Sequence, residues 1–567
     1  LVFIVRTIAV NINPLSLHKV SEITVTKKYI LAALLSGVLL SLPWMPWHLG
    51  LLLWVAFIPL LWIEHHVSVV QSKGTFRTVL TYAYISFFTW NVISTWWVSN
   101  STLFGGIAAV VLNALFYTIL FALFHLIKKQ MGTHTGYSAL VLIWLAFEHI
   151  YLNGAISWTW LILGNGFANN VQSVQWYEFT GVLGGSLWSL IINILLFNIG
   201  LHVYQFKTLY GQRLLGLLTI MFIIGPLFWS MYRYHSYREA NHPIKVSIIQ
   251  PNIDPYNEKF GQLDSEAQLK RMTDLMRSHA DQNADLYLWP ETALEDRIFE
   301  NNFKSSSIIV QVDSLMKAYP KALLVSGATT RSIHPLGKKT DTSKPLPFDT
   351  TLHYDTYNAA LGFTQLFDIE VYHKSKLVIG VEMTPYPAFF EILNEYLIDL
   401  GGYSGNLGWQ TQRTNFTLPT QKAQIAPIIC YESIYGDFVT GYVKNGAQLL
   451  AIITNDGWWG DTQGYQQHLS YAKLRAIENR RAVARCANTG VSALINQKGD
   501  IISQTPYWES AVLNGTLNLN TETTFYTRTG DYIGRIAEFF ALLLCLALFA
   551  SWVKGLRKPK TLQHIKN

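Results

Sequence analysis

The chain has 567 residues, too many for one ordinary domain, so two or more are expected. Half of it is hydrophobic and only 14% is charged, with 19 Trp, 29 Tyr and 30 Phe; this excludes a purely soluble enzyme and points to a membrane protein with aromatic belts at the bilayer surfaces. The net charge of +7 does not mark a nucleic-acid binder, because the lysines and arginines gather in short loops between apolar segments and at the C-terminus.

Residues 1–28 have a short apolar start and end in Lys27-Lys28; no small-residue cleavage pattern follows an apolar core, so they make a poor signal peptide and stay unassigned. Seven apolar segments then fill residues 29–232: Tyr29–Trp44, His48–Ile63, Val79–Val98, Leu103–Ile127, Tyr137–Leu152, Val182–Phe206 and Leu214–Tyr232. An eighth, Ile533–Val553, opens the stretch 533–567, which ends in a basic tail from Lys554. Most approach the roughly 20 residues that cross a bilayer, and flanking aromatics extend the shorter ones. Lys27, Lys28, Lys73, Arg77, Lys128, Lys129, Lys207, Arg213 and the tail occupy alternate ends of the spans, while the loops between, including 153–181, hold no Lys or Arg. The positive-inside rule therefore puts both termini in the cytoplasm and residues 233–532 on the far side.

That outer stretch has another pattern. Short β-rich runs occur at Val246–Gln250, Leu286–Trp289, Ala322–Gly327, Tyr357–Phe363, Ile425–Ile429, Leu449–Thr454 and Val491–Asn496. Helical patterns separate several of them; Asp264–His279 carries Leu269, Met272, Leu275 and Met276 on one face. Such alternation predicts a layered α/β domain with its chemistry at strand ends. Of three cysteines, Cys486 falls in a helical pattern and Cys545 in an apolar run, and both read as packing residues; no disulfide framework is possible.

Three strand ends carry reactive side chains. Pro290 ends the run Leu286-Tyr-Leu-Trp289 and presents Glu291 just beyond the sheet. Lys374 follows an imperfectly alternating run through Ile369 and Val371, with Glu382 eight residues on. Cys430 ends the apolar run at Ile428-Ile429, followed by Tyr431 and Glu432 before an expected helix whose N-terminus would lower the thiol pKa. Taken singly, these are an ordinary loop glutamate, a surface lysine and a small core cysteine.

Together, in the order Glu, Lys, Cys, they resemble the nitrilase superfamily of carbon–nitrogen hydrolases, and the membrane frame is similar to that of the apolipoprotein N-acyltransferase family within it. Gln250-Pro-Asn-Ile253, Thr454-Asn-Asp-Gly-Trp-Trp-Gly460, Leu474-Arg-Ala-Ile-Glu478, Asn488-Thr-Gly490 and the loop with Trp158, Trp160, Gly164 and Gln172 add to the likeness. It implies an α-helical membrane bundle of about eight spans plus an exported α/β nitrilase-like domain, an α-β-β-α sandwich, over residues 233–532. By the same resemblance the setting is a bacterial inner membrane, with that domain on the periplasmic side. Glu291 would be the general base, Lys374 the oxyanion stabiliser and Cys430 the nucleophile, supported by Glu382, Tyr431 and Glu432; Phe260, Asn358 and Trp458 would bind substrate. Two departures stand out: Lys376 replaces a histidine common two residues after the lysine, and Phe260 replaces a tryptophan, losing its N–H donor.

The implied reaction has two halves. Cys430 takes an acyl chain from a phospholipid, and the α-amino group of a diacylglyceryl lipoprotein then attacks the thioester, which predicts ping-pong kinetics. No cofactor, nucleic acid or metal is implied; the histidines lack paired ligand spacing. The apolar stretch Tyr386–Tyr403 is expected to be an arm that dips toward lipid. Two alternatives stay open: a membrane-tethered amidase, and a non-catalytic lipid- or lipoprotein-binding protein.

Overall fold

The computed structural model describes residues 22–71, 74–259, 263–365, 367–384 and 406–557; Phe260 and the Tyr386–Tyr403 arm lie outside the described residues. Apolar chain in a bilayer must satisfy its backbone internally, and the first part of the protein is accordingly helical. Helices α1 (Glu22–Ser41), α2 (Ile58–Val70, entered through a 3₁₀ turn at Gly50–Trp54), α3 (Thr75–Thr95), α4 (Leu103–Met131), α5 (Thr133–Asn153), α6 (Tyr177–Phe206) and α7 (Arg213–Ser236) form the bundle. Among the described residues seven helical stretches, the last at Tyr532–Ser551, are long and apolar enough to cross a membrane. Helix α3 matches them in length but not in apolarity: Thr81, Thr89, Asn91 and Thr95 run along it, each bonding back to the carbonyl four residues earlier.

The outer stretch folds into two sheets. One contains β1 (Pro243–Gln250), β2 (Leu286–Leu288), β3 (Leu294–Phe299), β4 (Leu323–Ile333), β5 (Lys344–Leu346), β6 (Asp349–Phe363), β7 (Ile369–His373) and β14 (Ala511–Asn518), in the order β14-β1-β2-β4-β6-β5, with β3 on β4 and β7 on β6. The other runs β13 (Ile501–Gln504), β12 (Ala493–Ile495), β11 (Val483–Ala487), β10 (Ala447–Thr454), β9 (Ala423–Ile429), β8 (Phe416–Leu418). Every strand expected from the sequence falls on one of these. Strand alternation divides the core: Val246 and Ile248 of β1 face the layer between the sheets, while Ile249 joins Leu269, Met272 and Met276 of α8 (Ser265–His279) and Val312 of α9 (Ser307–Met316). Helices α10 (Gly436–Lys444) and α11 (Gln463–Asn479) accompany the second sheet; α12 (Phe525–Thr529) leads to the last helix, α13 (Tyr532–Arg557).

Helix α11 joins the domain to the bundle. Its polar residues suggest a solvent face, yet every residue from Gly464 to Asn479 except the half-buried Gln466 is buried. Gln467 accepts from Trp160 Nε1 at 2.6 Å and donates to the Trp44 carbonyl at 3.1 Å, while Tyr471 accepts from Trp44 Nε1 at 3.0 Å and donates to the Trp160 carbonyl at 2.8 Å. Left unpaired, each such buried group would cost about 1–3 kcal/mol. Just past the helix, Arg480 pairs at 2.6 Å with Glu178 of α6, which also takes Arg233 of α7 at 2.8 Å. Gly181 in α6 has φ +59, and a Cβ there would lie 2.3 Å from the Tyr526 ring, so only glycine fits this seam.

Two expectations about cysteines are corrected. Cys486 lies in a strand, β11, and not in a helix, with its thiol directed at the Ile249 carbonyl 3.3 Å away. Cys545 is exposed on α13 and does not pack inside.

Candidate active site

Three chain turns build the site, each at the C-terminal end of a strand. After β2, Trp289-Pro290 carry the chain to Glu291, which lies so near β4 that a Cβ on Gly327 would be 2.6 Å from the Glu291 Cα. After β7, the Lys374 N–H donates to the Asn358 carbonyl of β6 at 2.8 Å. After β9, Cys430 adopts φ +48, the left-handed region, at a cost of order 1–2 kcal/mol for a residue with a Cβ. The first two ends belong to one sheet and the third to the other, so the groups meet between the layers.

There Lys374 Nζ lies 3.0 Å from Glu291 Oε1 and 2.9 Å from Glu382 Oε1. The Asn358 amide spans the same two oxygens, at 2.8 and 2.9 Å, so it orients carboxylates and has no amide proton left for a substrate. Glu382 Oε2 accepts the Val378 N–H at 2.8 Å, and the Cys430 thiol lies close enough to Glu291 for each to shift the other's pKa. Lys374 is fully buried, and Glu291 and Cys430 nearly so, at 6% and 9% exposure. Burial pushes the Glu291 carboxyl up, but the Lys374 ammonium and its hydrogen-bond donors hold it below the usual range. For Lys374, burial is outweighed by Glu291 and Glu382, which keep it charged well above its ordinary value.

The thiol corrects an expectation. Cys430 opens a single 3₁₀ turn, Cys430–Ile434, rather than an α-helix, so little dipole acts on it. Burial first, and then the Glu291 charge, raise its pKa well above the ordinary value, against the pull of Lys374. Without lipid, alkylation of Cys430 by iodoacetamide is therefore expected to stay slow through about pH 8.5, the ordinary thiol value, and to climb only above it. A reactive thiolate plateau at neutral pH would contradict this, and mass mapping of the alkylated cysteine measures it.

The supporting residues divide by partner. Glu432 Oε1 accepts from Tyr372 Oη at 2.5 Å and the Ser375 N–H at 2.6 Å, and its Oε2 accepts the Ile429 N–H at 2.9 Å, tying the Cys430 turn to the Lys374 turn. Burial raises its pKa to about 6 despite those donors. Tyr431 donates to the Ser157 carbonyl, 2.8 Å away in the loop after α5. Trp458 is half-buried; its carbonyl accepts from Tyr256 and Ser101, and its ring meets Tyr256 edge-on at 5.4 Å.

Sequence reasoning missed a buried relay behind the nucleophile. Ser433 Oγ donates to the Cys430 carbonyl at 2.8 Å; His468 Nε2 lies 3.0 Å from Ser433 Oγ and 3.2 Å from the same carbonyl. His468 Nδ1 is 2.9 Å from Asp456, which pairs with Arg485. Burial would raise the Asp456 pKa, but Arg485 and His468 hold it well below the carboxylate range. These groups clamp the carbonyl of the strained residue. Asp456 and His468 stood in noted motifs or beside them, but nothing in their spacing shows that they meet.

Residues 245–526 match the carbon–nitrogen hydrolase family model, and residues 36–195 match that of the apolipoprotein N-acyltransferase N-terminal domain. The chain is similar to an apolipoprotein N-acyltransferase of Chlorobaculum tepidum, 32% identical over 90% of this chain and 95% of that one. It is also similar to one of Geobacter metallireducens, 27% identical over 89% and 92%. Among solved structures it is similar to a carbon–nitrogen hydrolase superfamily protein of Xanthomonas campestris, 17% identical with TM-score 0.32, over 48% of this chain and 90% of that one.

Proposed function

The chain belongs to the apolipoprotein N-acyltransferase family of the carbon–nitrogen hydrolase superfamily, and from that premise we propose that it carries a phospholipid acyl chain, as a thioester on Cys430, to the α-amino group of a diacylglyceryl-modified N-terminal cysteine. One observation carries the mechanism: a buried ammonium joins two carboxylates, one of which, Glu291, lies beside the Cys430 thiol. Glu291 takes the thiol proton as sulfur attacks the ester carbonyl; Lys374 faces the oxyanion; the proton then passes to the departing lysolipid alkoxide. In the second half the lipoprotein amine attacks the thioester, gives up a proton to Glu291, and the Cys430 thiolate leaves and is reprotonated. A thiol held protonated until substrate arrives suits an enzyme that must not react indiscriminately. Glu382 keeps Lys374 in place, and Glu432 holds the two turns in register. On this reading the catalytic domain is periplasmic and both termini cytoplasmic.

Purified protein incubated with phospholipid is expected to gain one acyl mass at Cys430 and to lose it when a diacylglyceryl lipopeptide is added, with N-acyl lipopeptide as product. Loss to water at the same rate without lipopeptide would favour an amidase-type hydrolase. Absence of any adduct would leave a binding protein.

A further inference from the structure

Two cations beside the site take no part in the chemistry above. Lys376 lies two residues after Lys374, and its N–H reaches the same Glu432 oxygen, at 3.4 Å, that fixes the Lys374 turn. Its ammonium lies 4.9 Å from the centre of the Tyr435 ring. The Arg413 guanidinium lies 4.2 Å from the centre of the Phe438 ring, donates from Nη1 to the Thr411 carbonyl at 2.7 Å, and has a buried Nε with no acceptor. Tyr435 and Phe438 are three residues apart in the segment that continues from Cys430, so both cations rest on one aromatic strip beside the nucleophile turn.

Among the described residues neither cation has a salt-bridge partner. The carboxylates nearby are Glu432, already accepting from Tyr372, Ser375 and Ile429, and Asp437, which accepts from Thr440. Burial and the neighbouring Arg413 charge press the Lys376 pKa downward. Two half-buried like charges held together are unfavourable unless an anion lies against both. The strip also meets the membrane part: Tyr435 Oη is 2.8 Å from Ser157 Oγ, in the loop that closes α5.

We propose that Lys376 and Arg413 form an anion site beside the Cys430 turn, which takes the phosphate diester of the acyl-donor lipid. Arg413 offers a planar donor fork and Lys376 a point charge, a pair suited to phosphate oxygens. In a glycerophospholipid one glycerol unit separates the phosphate from the ester carbonyls, so anchoring the phosphate limits how far those carbonyls stray from the nucleophile. The site rests on the reading of the chain as a phospholipid-using acyltransferase.

The test is equilibrium binding to the full-length protein in neutral detergent, with fluorescent phosphatidylglycerol and the matching diacylglycerol as probes. The Lys376→Gln/Arg413→Gln double variant is expected to bind phosphatidylglycerol about 10–100-fold more weakly and diacylglycerol within about 2-fold of the parent, while Lys376→Arg keeps phosphatidylglycerol affinity within about 3-fold. Equal loss for both lipids, no loss for either, or a Lys376→Arg variant as weak as the double variant would overturn the site. So would inorganic phosphate binding that the double variant abolishes while phosphatidylglycerol binding stays intact, since the site would then serve a free anion. Both the parent and the double variant are assayed for binding in a Cys430→Ala background, where no acyl transfer follows, and acylation is scored separately on the Cys430 protein, so the two readings separate. Phosphatidylglycerol held through these residues by a protein that never acylates Cys430 supports the anion site and refutes the transferase.

Discussion

Replacing Cys430 by alanine is expected to remove acyl transfer to a lipopeptide almost completely, by about 10⁶-fold if it follows other nucleophile deletions. Cys486 is sealed in the core and Cys545 sits on α13, so no second thiol of the described residues lies in the cleft. Alanine should also retain the fold, because the clamp from Ser433 and His468 holds the Cys430 carbonyl and not its sulfur. Cys430→Ser is the sharper variant. Glu291 is held below the usual carboxyl range, so it is a weak base that suits a neighbouring thiol better than an alcohol of far higher pKa. Serine is therefore expected to be almost as inactive as alanine while still binding phospholipid. Appreciable N-acylation by either variant, measured by mass spectrometry of the lipopeptide, would refute the proposed chemistry.

Lys374→Met should have the second-largest effect, and on two quantities at once. It leaves Glu291 and Glu382 buried, both bonded to Asn358, with no cation between them. Breaking a buried ion pair from one side typically costs about 3–5 kcal/mol, and losing an oxyanion donor about 10²–10³ in rate. The pH dependence distinguishes this from simple loss of packing. In the parent, Glu291 has a depressed pKa, so its stabilisation is present above the ordinary carboxyl value and is lost as pH falls through the depressed one. In the variant, repulsion raises one carboxyl above its unfolded value, so stability should increase as pH falls from about 7 toward about 5. Melting curves across that range check the sign. The double variant Lys374→Met/Glu291→Gln should recover part of the stability and none of the activity.

Legibility differed from residue to residue for physical reasons. Glu291, Lys374 and Cys430 could be picked out because each follows a β-rich run that has to end there, and strand ends are where such folds expose reactive groups. Asn358 was picked out too, as a substrate contact, but its position inside β6 says nothing about the two carboxylates its amide spans. Ser433, His468, Asp456 and Arg485 were missed because they converge from four elements and each looks ordinary in its own segment. The thiol expectation failed because a 3₁₀ turn stands between Cys430 and helix α10, leaving burial to dominate.

Apolar runs near bilayer length, basic loops alternating with uncharged ones and short β-rich runs between helical patterns are local properties, so the two-part architecture and its strand ends could be derived from the sequence alone. Local patterns cannot say what a polar side chain will touch. Helix α11 shows the limit, because its Gln467, His468 and Arg475 are polar yet buried, bonded to Trp160, to Asp456 and to the Ile434 carbonyl of other elements. Only the tertiary structure decided which charges lost their water and which neighbour compensated them. The protonation of Cys430, the charge on Lys374 and its pairing with Glu291 and Glu382 all depend on that desolvation, which no single segment contains.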